Sequence, residues 1–432
     1  MNVKSIFMEG SKAMDIVNKT WLEEEVNISK EIQTKRLNKV LKNALSNIPA
    51  YFKYRNYEYL TPEDLLKKIA PINKKIVLDN YQDYVSDLVD ESNCYITQTS
   101  GSTGVPFTVI HDNGVKVERM KTLLHILNKN EVNEDIRILV ISGKKMDFNI
   151  KTENENPNVD IGVINLNGLV EEFDIALLKK IENFSPNVIS GHGSEIVMFY
   201  KILQRNNYHK IIENISIIIC GGESLSQQTQ DFLSKSYKAK VVDSYGMSEI
   251  GDIALQCDQY RDCYHINEEN VYLEVKDKDG IISEDSVEGE FILTGLDNEY
   301  MPLIRYQTSD MGTVSTSCKC GHKGKTIRIL EGRKVNPIVL QNGELLNAYI
   351  LKRKLEKLEL LCYQIIQNKP GIVEIKIVKS DKSPNNIEYF KQIILDLVKN
   401  NLEIYISFNK IEELKGTNGK VKSFLCNLDI EF

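Results

Sequence analysis

Thr99, Ser100, Gly101, Ser102, Thr103 and Gly104 spell TSGSTG, a short loop of hydroxyls broken by two glycines. Glycine lets backbone N–H groups converge on an anion, so such a loop can cradle phosphate. A Walker loop would also need Lys and then Ser or Thr after its last glycine. Here Val105 and Pro106 follow Gly104, which argues against a P-loop kinase or GTPase. A plain Ser/Thr/Gly linker is the competing reading.

Four further segments carry chemistry on a similar theme. DSYGMSEIG sets Ser244, Tyr245, Gly246, Met247, Ser248, Glu249 and Ile250 after an apolar run. An aromatic ring can stack on a base, a hydroxyl can bond phosphate and a carboxylate can ligate Mg2+. RYQTSDMG places Asp310 after a strand, and a carboxylate is the usual partner of ribose hydroxyls. EGRKVN offers Arg333 as a phosphate-pairing side chain at a hinge. For the first two of these an ordinary turn is the alternative. KGTNGKVKSF presents Lys420 from a tight loop, and one lysine among 54 cationic residues is bland alone.

A second chemistry lies in QCDQYRDCYHI and SCKCGHKG, which hold four Cys and two His. Thiolates with an imidazole suit a closed, tetrahedral, structural Zn2+ site. Reduced, unligated surface cysteines are the alternative. The other four cysteines, Cys94, Cys220, Cys362 and Cys426, stand alone and read as small buried hydrophobes.

The elements that must position these groups alternate. Residues 11–48 read as helix, and LTPEDLLKKI as a short helix capped by Thr61 with Pro62 at its first position. Short apolar runs at IRILVIS, PNVIS, ISIIIC and KVV alternate with amphipathic helices between residues 136 and 247. That pattern implies parallel sheets covered on both faces, with ligands at the carboxyl ends of the strands. The loops SGHGSE, CGGESLS and DSYGMSEIG fall at those ends. From about residue 270 the texture becomes β-rich. The last hundred residues read as a separate α/β unit, with helix over LLNAYILKRKLEKLELL.

The chain has 432 residues, 27% of them charged, and a formal net charge of −7. This is ordinary for a soluble protein and argues against nucleic acid as the main partner. Neither a signal peptide nor an 18-residue apolar span is legible, so the cytoplasm, with no membrane partner, is the expectation.

Taken in order, TSGSTGVP, GGESL, DSYGMSEIG, RYQTSD, EGRK and NGKVK resemble the core motifs of the adenylate-forming superfamily of acyl-CoA synthetases, adenylation domains and luciferases. The lead-ins ALSNIPAYF and PINKKIVLDNYQDY resemble its short phenylacetate-CoA ligase branch. The resemblance implies an α/β fold in two domains. Residues 1–332 would form a large N-terminal domain of helix-covered, mostly parallel sheets with a β-rich subdomain. Residues 333–432 would form a small mobile α/β C-terminal domain.

The same resemblance implies roles. Residues 99–104 would close over the β- and γ-phosphates of ATP, and Gly222 and Glu223 would line the adenine. Tyr245, with Ser244, Gly246 and Met247, would pack beside the nucleotide. Ser248 would touch the α-phosphate, Glu249 would hold Mg2+, Asp310 would take the ribose and Arg333 would sit at the domain junction. Lys420 would bridge the substrate carboxylate and the α-phosphate. His192, Gly193, Met247 and Ile250 are candidates for the acid pocket. Within this branch Cys257, His265, Cys318 and Cys320 are the implied zinc ligands, with Cys263 and His322 in reserve.

The implied reaction joins a small carboxylic acid, aryl by preference, to a thiol of CoA or of carrier-protein phosphopantetheine through an acyl-adenylate. An amine acceptor, fatty or amino acid substrates, and a catalytically inactive scaffold stay open, as does a homodimer. Three departures stand out: Ser309 where the family prefers Gly, Val335 where an acidic residue is usual, and no Pro before the Lys420 loop.

Overall fold

The computed structural model describes residues 26–99, 107–132, 135–141, 149–152, 159–164, 175–331, 338–342, 345–346, 360–379, 386–398, 402–414 and 424–426, with a few isolated positions besides. The chain divides into two compact units. The first comprises Met1–Glu134, Glu153–Asn158 and Ser244–Arg333; the second comprises Asp135–Thr152, Val159–Asp243 and Lys334–Phe432.

The first unit is built on antiparallel pairing. Its sheet runs in the order Ile282–Ser283, Val271–Lys276, Glu288–Gly295, Tyr306–Ser315, Thr326–Glu331, Tyr264–Ile266 and Gly251–Gln256, then the end of Lys240–Met247. The helix Val26–Asn47 buries Leu37, Val40, Leu41, Ala44 and Leu45, spaced to line one face, in the core formed with Ile253, Leu273 and Phe291. The sequence pattern carries that helix back to residue 11; residues 11–25 lie outside the described residues. Pro49 ends it, because proline cannot continue the α-helical hydrogen bonding, and opens a 3-10 helix over Pro49–Tyr57. Thr61 caps Pro62–Lys68 by accepting from the Asp64 N–H, as its sequence implies. A separate antiparallel pair, Tyr95–Thr99 with Phe107–His111, flanks residues 100–106, which lie outside the described residues. Buried Arg305 makes a bidentate ion pair with Glu274, both bonds at 2.9 Å, and so locks the start of Tyr306–Ser315.

The second unit holds the parallel sheet. Ile217–Gly221, Val188–Gly191, Ile136–Ile141 and Val159–Ile164 are parallel neighbours, and Asn149–Thr152 joins antiparallel at the edge. Their near-continuous apolar burial follows from helices on the faces. Helices Ile175–Phe184, Gly193–Arg205 and Gln227–Tyr237 supply Leu178, Phe199 and Leu233 to this core. Leu361, Val378, Ile411 and Leu414 from the C-terminal segment share it, and the Thr229 hydroxyl donates to the Leu361 carbonyl at 2.5 Å.

A four-stranded mixed sheet completes the unit in the order Glu403–Phe408, Ile372–Lys379, Leu360–Lys369 and Phe424–Cys426. Here the helix expected over residues 345–361 is corrected at its two ends, while Leu351 and Leu355 within it are helical. Leu345–Leu346 pairs with Ile338–Val339, and Leu360 and Leu361 open a ten-residue strand. Pairing with partners on both sides outweighs the helical spacing of the leucines. Among the described residues, no helix is long and apolar enough to cross a membrane.

Candidate functional site

The strand Lys240–Met247 buries Val241, Val242 and Asp243 and becomes half-buried from Ser244 to Met247. It turns at Ser248, Glu249 and Ile250 and returns as Gly251–Gln256, with the Ile250 N–H donating to the Met247 carbonyl at 3.3 Å. Gly246 is demanded by that return: a Cβ there would sit 2.8 Å from the Gly251 carbonyl oxygen, beside a register shift in the ladder. The turn thus carries Ser248 and a buried Glu249 at its tip. Ile250 is packed into the core of the unit, and Met247 lies partly buried against it.

Asp310 arrives from a different strand and meets this hairpin. The Tyr245 hydroxyl donates to Asp310 Oδ2 at 2.6 Å, while the Tyr245 ring stands edge-on to Phe291. A short bond to a carboxylate fixes its orientation. Ser309 makes the kink that aims Asp310, with φ +65, in the left-handed region where glycine is at ease. Its N–H donates to Glu290 Oε1 at 3.1 Å, and the Asp310 N–H donates to Thr308 Oγ1 at 3.0 Å.

Two residues outside the sequence reading reach the same turn, and a third lies behind them. Thr97 Oγ1 donates to the Ser248 carbonyl at 2.8 Å, and His111 Nε2 lies 3.1 Å from that oxygen. Asn298 Nδ2 lies 3.4 Å from His111 Nδ1. A lone His at the end of the apolar run FTVIH gives no signal of this beyond a buried polar group that must find partners.

The second unit holds the other described candidates. His192 precedes the helix Gly193–Arg205, and its Nδ1 lies 2.9 Å from Oε2 of fully buried Glu195. Glu223 accepts from the Ser194 N–H at 2.7 Å and from the Ser194 hydroxyl at 3.0 Å, so its carboxylate serves the first turn of that helix. Gly222 has φ +78, a conformation that suits glycine. Of Thr99, the backbone closes its strand opposite Phe107. Ser100, Gly101, Ser102, Thr103, Gly104, Arg333 and Lys420 lie outside the described residues.

In the first unit Cys257, His265, Cys318 and Cys320 gather, with one ligand atom from each lying within 4.8 Å of the others. Cys318 Sγ is 3.8 Å from Cys257 Sγ, and Cys320 Sγ is 3.4 Å from His265 Nε2. A tetrahedron with Zn–S of about 2.3 Å has S···S edges near 3.8 Å, so donor chemistry and spacing both fit zinc. Burial, with neighbouring His322, pulls His265 down to about 4, leaving the neutral imidazole that a metal needs. Cys263 Sγ stands 3.6 Å from Cys318 Sγ, and the His322 ring stacks on His265 at 4.1 Å.

The chain thus combines mixed α/β layers with a Tyr-Gly-Met-Ser-Glu hairpin that meets an aspartate from within the strand Tyr306–Ser315. The AMP-binding enzyme family model matches residues 22–297. The chain belongs to that family, and its likeness runs to the phenylacetate-CoA ligase branch of the adenylate-forming superfamily. It is 24% identical over 299 residues to a phenylacetate-coenzyme A ligase of Aromatoleum evansii, covering 65% of each chain. It is 23% identical over 373 residues to that of Escherichia coli (strain K12), covering 82% of this chain and 83% of the other. The matched part of the Aromatoleum evansii protein is thus just under two thirds of its length. A crystal structure of 2-hydroxyisobutyryl-CoA ligase in the postadenylation state shares the fold, with TM-score 0.69 and 14% identity, over 94% of this chain and 90% of that one.

Proposed function

We propose that this protein activates a small carboxylic acid with ATP and passes the acyl group to a thiol. The substrate carboxylate oxygen attacks the α-phosphorus, the bond from that phosphorus to the bridging oxygen breaks, and pyrophosphate leaves with the electron pair. The thiol sulfur then attacks the acyl carbonyl, its proton is lost, and AMP leaves. No protein nucleophile is required, because the substrate supplies its own.

The observation that carries this reading is the pairing of Tyr245 with Asp310 beside the turn bearing Ser248 and Glu249, in a chain of the AMP-binding family. An oriented carboxylate suits two ribose hydroxyls, and a ring beside it suits a base. Ser248 would meet the α-phosphate. Buried Glu249 fits Mg2+, which supplies charge neutralisation as the leaving group departs. Residues 99–104 would hold the pyrophosphate portion, with Gly222 and Glu223 toward the adenine and Arg333 at the junction. His192, Gly193 and Met247 would face the acid, whereas Ile250, packed into the core of its unit, would support Met247 from behind.

Residues 333–432 would act as the small domain that brings Lys420 to the reacting carboxylate, where its charge offsets anion–anion repulsion. The preference for an aryl acid rests on the phenylacetate-coenzyme A ligases that this chain resembles. CoA or a carrier-protein phosphopantetheine is the acceptor, zinc at Cys257, His265, Cys318 and Cys320 is structural, and the setting is the cytoplasm. The test supplies phenylacetate and hydroxylated or amino-substituted benzoates with ATP, Mg2+ and CoA. Mass spectrometry should find AMP and an acyl-CoA thioester. Formation of an acyl-adenylate with no thioester under any thiol would overturn the acceptor, and ADP as product would overturn the chemistry.

A further inference from the structure

Thr97, His111 and Asn298 are all buried, Thr97 and His111 completely. The Thr97 hydroxyl donates to the Ser248 carbonyl, and His111 Nε2 lies 2.8 Å from Thr97 Oγ1 and 3.1 Å from the same carbonyl. A carbonyl only accepts, so these partners assign the proton to Nε2. Nδ1 is then unprotonated and lies 3.4 Å from Asn298 Nδ2, which donates its two hydrogens to the carbonyls of Ile110 and Met301. The Tyr95 ring lies flat against the imidazole at 4.8 Å, so the ring is fixed in plane as well as in tautomer. Burial, with Arg119 nearby, holds His111 far below the usual histidine range, at about 3.

Two facts separate this cluster from ordinary core satisfaction. Thr97 and His111 converge on one carbonyl, that of the residue immediately before Glu249. The same two residues sit on the two strands that flank residues 100–106, Thr97 on Tyr95–Thr99 and His111 on Phe107–His111.

We infer that Thr97 and neutral His111 are positioning residues that tie the strand pair carrying the TSGSTG loop to the turn carrying Ser248 and Glu249. The inference rests on the reading of Ser248 as the α-phosphate contact and of Glu249 as the Mg2+ ligand. Two donors on one carbonyl fix the peptide that leads into Glu249, and hence the direction from which its carboxylate leaves the chain. A shift of that peptide by an ångström would misplace the metal relative to the phosphates, and misplacements of that size cost about 10- to 100-fold in rate.

Thr97→Val is nearly isosteric and removes only the hydroxyl; Thr97→Ser retains it. The readouts are acid-dependent ATP–pyrophosphate exchange across a Mg2+ titration, and calorimetric ATP binding with and without Mg2+. Thr97→Val should lose about 10-fold or more in exchange rate. It should also need several-fold more Mg2+ for half-maximal rate and bind ATP normally without Mg2+, and Thr97→Ser should restore all three. His111→Gln should fall on the same side as Thr97→Val; if it does not fold, the Thr97 pair decides alone. Wild-type Mg2+ dependence in Thr97→Val, alongside an impaired Glu249→Gln, would overturn the tie and leave the site reading standing. Wild-type behaviour of Glu249→Gln would overturn the site reading itself.

Discussion

At the scale of single residues, Tyr245 and Asp310 depend on each other across 65 positions of sequence. A hydrogen bond to a charged group contributes about 1.5–3 kcal/mol. Tyr245→Phe should therefore weaken ATP binding by about 10- to 100-fold with little change in fold, as read by titration calorimetry. Ser309 bears a different cost. A side chain at φ +65 is strained by about 1 kcal/mol, and the bond from its N–H to Glu290 does not need the hydroxymethyl group. Ser309→Gly should raise urea-unfolding stability by about 0.5–1 kcal/mol, the higher unfolded-state entropy of glycine offsetting part of the relief. The sequence marks Ser309 as unusual for its motif, but the sign of φ is set by where the strand must aim Asp310. Thr97, His111 and Asn298 were illegible for a related reason: buried polar partners are chosen by the tertiary fold, and their shared target is a backbone carbonyl with no side-chain signature.

At the scale of elements, the alternation of short apolar runs with amphipathic helices was readable because parallel strands covered on both faces must be continuously apolar. Thr61 announced its helix by chemistry and accepts from a first-turn N–H in the fold. Leu360 and Leu361 were misread because a leucine-rich run satisfies a helical period and a buried strand alike. Only pairing with Ile372–Lys379 and with Phe424–Cys426, some sixty residues on, decides between them. The two Cys/His segments lie about fifty residues apart, and antiparallel pairing of Tyr264–Ile266 with Gly251–Gln256 and Thr326–Glu331 draws their ends together. Elemental analysis of untagged protein should find one zinc per chain. Cys257→Ser or Cys318→Ser should lose it and lower Tm, whereas Cys263→Ser should keep it. Protein without stoichiometric zinc would contradict the site.

At the scale of the whole molecule, buried His111 links folding to pH. Its pKa falls from 6.5 to about 3 on folding, so below pH 6.5 the unfolded chain takes up a proton that the folded chain refuses. Stability from this group is therefore complete above pH 6.5 and is lost as pH falls toward 3, by up to about 1.4 kcal/mol per unit. Urea unfolding of His111→Gln between pH 6 and 4 should show a correspondingly shallower loss than the native chain. An identical slope would mean that the histidine charges in place.

Adenylation is the central claim, and ATP–pyrophosphate exchange is its most direct measurement. With Mg2+ and a panel of aryl, fatty and amino acids, label from pyrophosphate should enter ATP only when a suitable acid is present, fastest with an aryl acid. Lys420→Ala should abolish that exchange. Failure of every acid to support exchange in protein that binds ATP would contradict the account.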